Sequence, residues 1–111
     1  MKYAILSTLS FDTPAKRDIM SSQLQAFIAS RLTWGPTQMA SGEDRDGKPS
    51  SSVEVRFLSQ ADANDLYDLI VDRIVHIPVL RGRVSKHNCT HDEVTDEVSP
   101  QKCVPAEEFS Q

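Results

Sequence analysis

The chain has 111 residues, of which 39% are hydrophobic and 25% are charged, and its formal net charge at pH 7 is −4. This length suits one domain and excludes a second full one, and the composition excludes a disordered chain, which would hold fewer apolar residues. No apolar run approaches the roughly 20 residues that span a membrane, and the start of the chain lacks a signal-peptide pattern, so we expect a cytoplasmic protein.

The negative charge is concentrated at the end of the chain. Residues 92–111 hold six acidic residues and one lysine, a charge of −5, which leaves +1 on residues 1–91. This end has few large apolar side chains to offset the entropy of ordering it. We therefore expect a single α+β domain over residues 1–91 and an acidic, flexible tail over residues 92–111.

A strand and a helix are predicted first. Residues 3–11 are largely apolar and contain neither glycine nor proline, which favours a buried strand. Asp12 or Thr13 can cap a helix that begins at Pro14, and the apolar residues that follow recur at helical spacing. We expect this helix to end near Thr33.

A hairpin is predicted next. Residues 34–41 form a weak first arm, and the polar stretch 42–50 has the composition of a turn. In the second arm, Val53, Val55 and Phe57 alternate with charged residues, which is typical of a strand with one buried face. These three side chains are expected in the core.

The last predicted elements are a helix and a strand. Ser59 begins a helix-capping pattern, and apolar residues between Ala63 and Ile74 repeat with helical spacing. Residues 79–89 predict a polar strand at a sheet edge. The order strand, helix, strand, strand, helix, strand is ferredoxin-like (βαββαβ), so we expect a four-stranded antiparallel sheet with both helices on one face. The other face of such a sheet is open.

The cysteines and histidines offer two further interpretations. Without a secretion signal, Cys89 and Cys103 are expected to be free thiols, and the alternative is a disulfide that joins the tail to the body. His87, Cys89 and His91 alternate along one side of the last strand, as ligands for zinc or copper could. They would spread over roughly 13 Å of a straight strand, so we expect no bound metal.

Basic residues form the candidate binding surface. Arg81, Arg83 and Lys86 lie on the last predicted strand and Arg56 on a neighbouring arm, where they could meet phosphates or an acidic partner. RNA-binding domains of this fold need aromatic side chains on the two central strands, and this sequence lacks that pattern. Nucleic acid is therefore an alternative partner rather than the favoured one. Charges that only keep an edge strand solvated explain the same residues.

Enzymatic interpretations have less support. Asp12 follows the first strand, as in a Cas2-like metal-dependent nuclease, but a cap for the first helix is a simpler explanation of this residue. No glycine-rich phosphate loop or nucleophile motif occurs, so no cofactor is expected. A dimeric α/β-barrel enzyme or small-ligand binder would instead line a pocket with Trp34, Tyr67 and either His76 or His87.

The favoured function is a small non-catalytic module for protein–protein interaction that associates with itself through its sheet as a homodimer, or docks on a larger protein. The dimeric α/β-barrel enzyme or ligand binder is the first alternative. A nucleic-acid-binding protein or Cas2-like nuclease is the second.

Overall fold

The computed structural model describes residues 2–31, 37–90 and 102–111. Within these ranges the chain forms two helices and five strands. In chain order they are β1 (Lys2–Ser10), α1 (Pro14–Arg31), β2 (Thr37–Glu43), β3 (Pro49–Leu58), α2 (Gln60–His76), β4 (Arg81–Thr90) and β5 (Lys102–Ser110).

All five strands belong to one antiparallel sheet in the order β2-β3-β1-β4-β5. The first four strands have the arrangement of a ferredoxin-like fold, because β1 and β3 are central and the strands that follow the two helices lie beside them. The predicted ferredoxin-like α+β fold is therefore confirmed.

The predicted strand number was wrong, since the sheet has five strands rather than four. The additional strand, β5, comes from the end of the acidic segment and pairs with β4 from Arg83 to Thr90. Its backbone pairs with β4 along the strand, with one irregularity in register between Lys86 and His87, even though few of its side chains are buried. Local hydrophobicity cannot reveal such pairing. Residues 91–101, the rest of the predicted tail, lie outside the described residues.

Both helices begin at side-chain caps that the sequence predicts. The hydroxyl oxygen of Thr13 accepts a hydrogen bond from the backbone N–H of Lys16 at 3.2 Å, and that of Ser59 accepts one from the N–H of Asp62, also at 3.2 Å. These bonds satisfy N–H groups that have no partner inside the helix, and so fix where α1 and α2 begin.

The hydrophobic core lies between the helices and one face of the sheet. Ile5 pairs with Val55, and both side chains are fully buried against the helices. The helices contribute the predicted apolar stripes, which include Met20, Leu24 and Ile70. The side chain of Phe57, which was also expected in the core, lies outside the described residues. No helix in the described part of the chain is long and apolar enough to cross a membrane.

Candidate functional site

The sheet face opposite the helices is the candidate functional site, and we call it the open face. Strand register places ten of its side chains in two rows that cross all five strands. Adjacent rows on one face of a sheet are about 7 Å apart. One row is Gln38, Glu54, Leu6, Ser85 and Glu108, and the other is Ala40, Ser52, Thr8, Arg83 and Ser110.

The two rows line a shallow groove of about 960 Å³. Leu6 lies at the centre of the first row, where its side chain is 37% exposed. The positions around it carry hydroxyl, amide, carboxylate and guanidinium groups. The groove therefore combines an exposed aliphatic side chain at its centre with many hydrogen-bonding groups, a combination that suits specific binding.

A serine and a histidine meet in this groove. Ser85 Oγ lies 2.9 Å from His87 Nε2, a hydrogen bond whose direction depends on the tautomer of the imidazole. A hydroxyl held by an imidazole is the core of many nucleophile–base pairs, but those pairs need a third group to orient the imidazole. In the part of the chain that the structure describes, no hydrogen bond or ion pair joins His87 to a carboxylate.

Arginines on the open face differ in their partners. Arg56 makes two hydrogen bonds to Glu54 Oε1, at 2.9 and 2.6 Å, which neutralises its charge locally. Arg83 lies between Thr8 and Ser110 with an exposed side chain, and no carboxylate of the described residues forms an ion pair with it. Arg83 is thus the guanidinium in the groove that remains available to a ligand or a partner.

The structure separates the basic residues that the sequence grouped. Arg81 and Arg83 both lie on the open face, whereas Lys86 lies on the helix side of β4. There its Nζ donates a 2.7 Å hydrogen bond to Asn64 Oδ1 and lies 3.1 Å from Glu107 Oε2 and 5.5 Å from the centre of the Tyr67 ring. These cations do not form the continuous basic surface that follows a nucleic-acid backbone.

The cysteines are joined, so the expectation of free thiols was wrong. Strand register sets Cys89 directly opposite Cys103, with Cα atoms 4.0 Å apart, and a disulfide connects them. A disulfide sulfur is not a thiolate, which removes Cys89 as a metal ligand in this state. His91 lies outside the described residues, and within them no three His, Cys, Asp or Glu side chains group around an ion site.

The residues expected around a barrel pocket are dispersed. Tyr67 is buried in the core, and burial is the main cause that raises the pKa of its phenol, with a smaller effect from Glu107. His76 lies at the end of α2, where its Nδ1 is 2.9 Å from the Asp72 carbonyl oxygen, in agreement with a helix-end role. His87 reaches the groove on the other side of the sheet. Trp34 lies outside the described residues.

Asp12, the candidate nuclease carboxylate, forms an ion pair with a lysine. Its Oδ2 accepts a 3.0 Å hydrogen bond from Lys16 Nζ one turn along α1, and this contact is the main cause that lowers the pKa of the Asp12 carboxyl. The side chain is exposed at the start of the helix. The contact stabilises the start of α1.

Sequence reasoning missed most of the groove. Four of its residues were not predicted as functional candidates, because single serines, threonines and glutamates are common on exposed strands. They are Thr8, Glu54, Ser85 and Glu108. The signal was available at one point, since Ser85 and His87 are two residues apart on a predicted strand and must share a face.

Comparisons with known proteins are sparse. No family model matches the chain, and no curated protein matches it. A solved structure of a dimeric ferredoxin-like protein from an uncultured marine organism aligns with 77% of this chain and 92% of its own, at 9% identity and a TM-score of 0.49.

Proposed function

We propose that the protein is a non-catalytic binding module that associates with a second copy of itself through the open face. The observation that carries the proposal is the arrangement of this face, with an exposed leucine at its centre and charges of both signs around it. An apolar centre inside a polar rim is the usual anatomy of a protein interface.

The charges of the open face suit pairing with an identical face. In a two-fold symmetric dimer, a residue that contacts a second residue of the other copy is matched by the reverse contact. A charged surface that pairs with itself therefore needs both signs of charge to be complementary. Arg83 lies in one row, and Glu54 and Glu108 lie at opposite sides of the neighbouring row. A face-to-face arrangement can therefore set the arginine of each copy against a carboxylate of the other.

This composition sets the expected strength of the association. The face buries one large aliphatic side chain per copy, and the remaining contacts are hydrogen bonds and ion pairs, which contribute little when solvated. We expect a hydrated dimer in reversible equilibrium with the monomer, and we expect salt to weaken it because the ion pairs lie at the rim.

A variant at the centre of the open face tests this proposal. Leu6→Asp places a carboxylate between the two copies, and sedimentation velocity should then give a monomer at concentrations where the unmodified protein is a dimer. The matched control is Ile19→Asp, which alters an even more exposed aliphatic side chain on α1, 59% against 37%, and should leave the dimer intact. A dimer that persists in Leu6→Asp contradicts the proposal.

The available arginine supports a second candidate function, binding of a small organic anion in the groove. A carboxylate or phosphate ester could pair with Arg83 and accept hydrogen bonds from Thr8 or Ser85. A panel of such compounds should raise the thermal unfolding midpoint of the protein, and Arg83→Leu should abolish the rise. A rise that survives in Arg83→Leu places the ligand elsewhere.

A further inference from the structure

The outer strand β5 is attached to the sheet by few side-chain contacts. Residues 104–108 are all exposed, and Phe109 is the apolar side chain of β5 that packs against the core, where it is partly buried. At the end of the strand, the backbones of Gln111 and Gly82 exchange two hydrogen bonds of 2.9 Å. The strand is thus held mainly by its backbone ladder to β4.

Charge complementarity adds to that ladder. β4 is basic, and β5 places Glu107 opposite Lys86 and Glu108 opposite Ser85, beside Arg83. The Lys86 ammonium and the Glu107 carboxylate are 3.1 Å apart, and the lysine side chain is only 16% exposed. An acidic strand therefore lies along a basic strand. The charges of β5 indicate that the edge of β4 pairs with an acidic extended segment.

The remaining attachment is the Cys89–Cys103 disulfide, which lies next to the first residue pair between the two strands, where β5 begins. Cys89 is 2% exposed. A covalent link at this point keeps β5 beside β4 even when the ladder opens, since it limits how far the strand can move away.

We propose that reduction of the Cys89–Cys103 disulfide releases β5, and that the uncovered edge of β4 then pairs with an extended acidic segment of a partner protein. The partner adds a strand to the sheet through backbone hydrogen bonds. Its specificity comes from carboxylates that face Lys86 and Arg83 and from an aromatic side chain at the place of Phe109. The backbone edge of β4 lies outside the open face, although Arg83 borders both surfaces, so this site is additional to the proposed function.

The redox step balances with a dithiol as the reductant. One thiolate of the dithiol attacks a sulfur of the disulfide and breaks the S–S bond, which leaves the other protein cysteine as a thiolate that takes up a proton. The second thiol of the reductant then attacks the mixed disulfide and releases the remaining cysteine. The protein gains two electrons and two protons, and the dithiol becomes a cyclic disulfide.

Hydrogen exchange on the full chain tests the release of β5. On reduction by a dithiol, the amides of residues 103–110 that are protected in the oxidised protein should exchange on the order of 100-fold faster, because the cross-link of a short loop suppresses opening by about that factor. The amides of β1 and β3 should change little. The control is Cys89→Ala/Cys103→Ala, whose exchange should not respond to the reductant. Unchanged protection of β5, or equal acceleration throughout the sheet, overturns the proposal.

Disulfide trapping tests the partner chemistry. The probe is a synthetic peptide with the sequence of residues 102–111, its cysteine activated as a mixed disulfide with an aromatic thiol, and the protein is the full-length Cys103→Ser variant. Cys89 can attack the peptide disulfide and release the aromatic thiol only after the chain's own β5 has moved away. A control peptide carries lysine in place of both glutamates.

The acidic peptide should react with Cys89 about 10-fold faster than the control peptide, since the control reverses the Lys86–Glu107 ion pair and the charge of Glu108, which lies beside Arg83. Equal rates for the two peptides contradict acidic-strand recognition, even if β5 is released. If the protein is monomeric, self-association through the open face is contradicted. Hydrogen exchange and disulfide trapping would still test the release of β5 and the pairing of β4 with an acidic segment.

Discussion

Gly82 on β4 provides a sharp test of the packing between the central strands. It lies opposite Leu9 of β1 on the helix side of the sheet. A Cβ added at this position would lie 2.4 Å from the Thr8 carbonyl oxygen, 2.8 Å from Leu9 Cδ2 and 2.9 Å from Leu9 Cα. Gly82→Ala should therefore force β1 and β4 apart.

The size of the effect follows from which atoms collide. Two of the three are backbone atoms of a central strand, so no side-chain rotation relieves them, and the strands must move by about 1 Å to restore ordinary contact distances near 3.4 Å. Overpacking of this kind costs about 1–3 kcal/mol. We expect the upper end, about 3 kcal/mol, which corresponds to a fall in the unfolding midpoint of roughly 10–20 °C for a domain of this size.

Thermal and urea unfolding of the two glycine variants measure this effect. The control is Gly42→Ala on β2, where an added Cβ meets nothing within 4 Å. It should be neutral or stabilise by up to about 1 kcal/mol, because alanine restricts the unfolded chain more than glycine does. Equal midpoints for Gly82→Ala and Gly42→Ala would refute the close approach of β1 to β4.

Three further predictions concern ionisable groups. Lys86→Ala should destabilise the fold by about 2 kcal/mol in urea unfolding, because it loses the hydrogen bond to α2 and the ion pair to β5. The control Lys48→Ala, on the exposed hairpin turn, should change the free energy of unfolding by less than about 0.5 kcal/mol. The pKa of Tyr67 is raised from 10.0, so an ultraviolet absorbance titration should place it above that value; the stability it contributes is full below pH 10.0 and falls as the pH rises through the folded-state pKa. Glu107→Gln should lower that pKa. The Asp44 carboxyl should titrate below its ordinary pKa of 3.8 in an NMR experiment, because it accepts hydrogen bonds from the turn that follows it, and the turn should loosen as the pH falls through that lowered pKa.

The helices and the inner strands were predictable because their signals are local. Met20, Leu24 and Ile28 recur at helical spacing and are all buried, and Ser59 caps α2 as its side chain implies. Val55 alternates with charged neighbours and is fully buried. In each case the residues that define the element also define its buried side.

The outer strand β5 was not predictable in the same way. It buries little apolar surface, so its composition resembles that of a disordered end. Its position depends on groups outside the strand, namely the β4 backbone, the Lys86 ammonium and the sulfur of Cys89, which forms the disulfide with Cys103. Long-range pairing of this kind leaves no local pattern.

The candidate site could be predicted only in part. Arg83 and His87 were identified as functional candidates, and alternation along β4 places both on the open face. The same alternation separates Lys86 from Arg83, since an odd spacing puts two strand residues on opposite faces. The hydrogen bond between Ser85 and His87 depends on the side-chain conformation, which spacing alone does not specify.

Self-association through the open face is tested by sedimentation velocity of the unmodified protein and of Leu6→Asp across a range of protein concentrations. Association through the open face predicts a concentration-dependent shift from monomer to dimer in the unmodified protein and a monomer throughout in Leu6→Asp. An unmodified protein that stays monomeric at every concentration, or a Leu6→Asp variant that dimerises equally well, would contradict the assignment of this face.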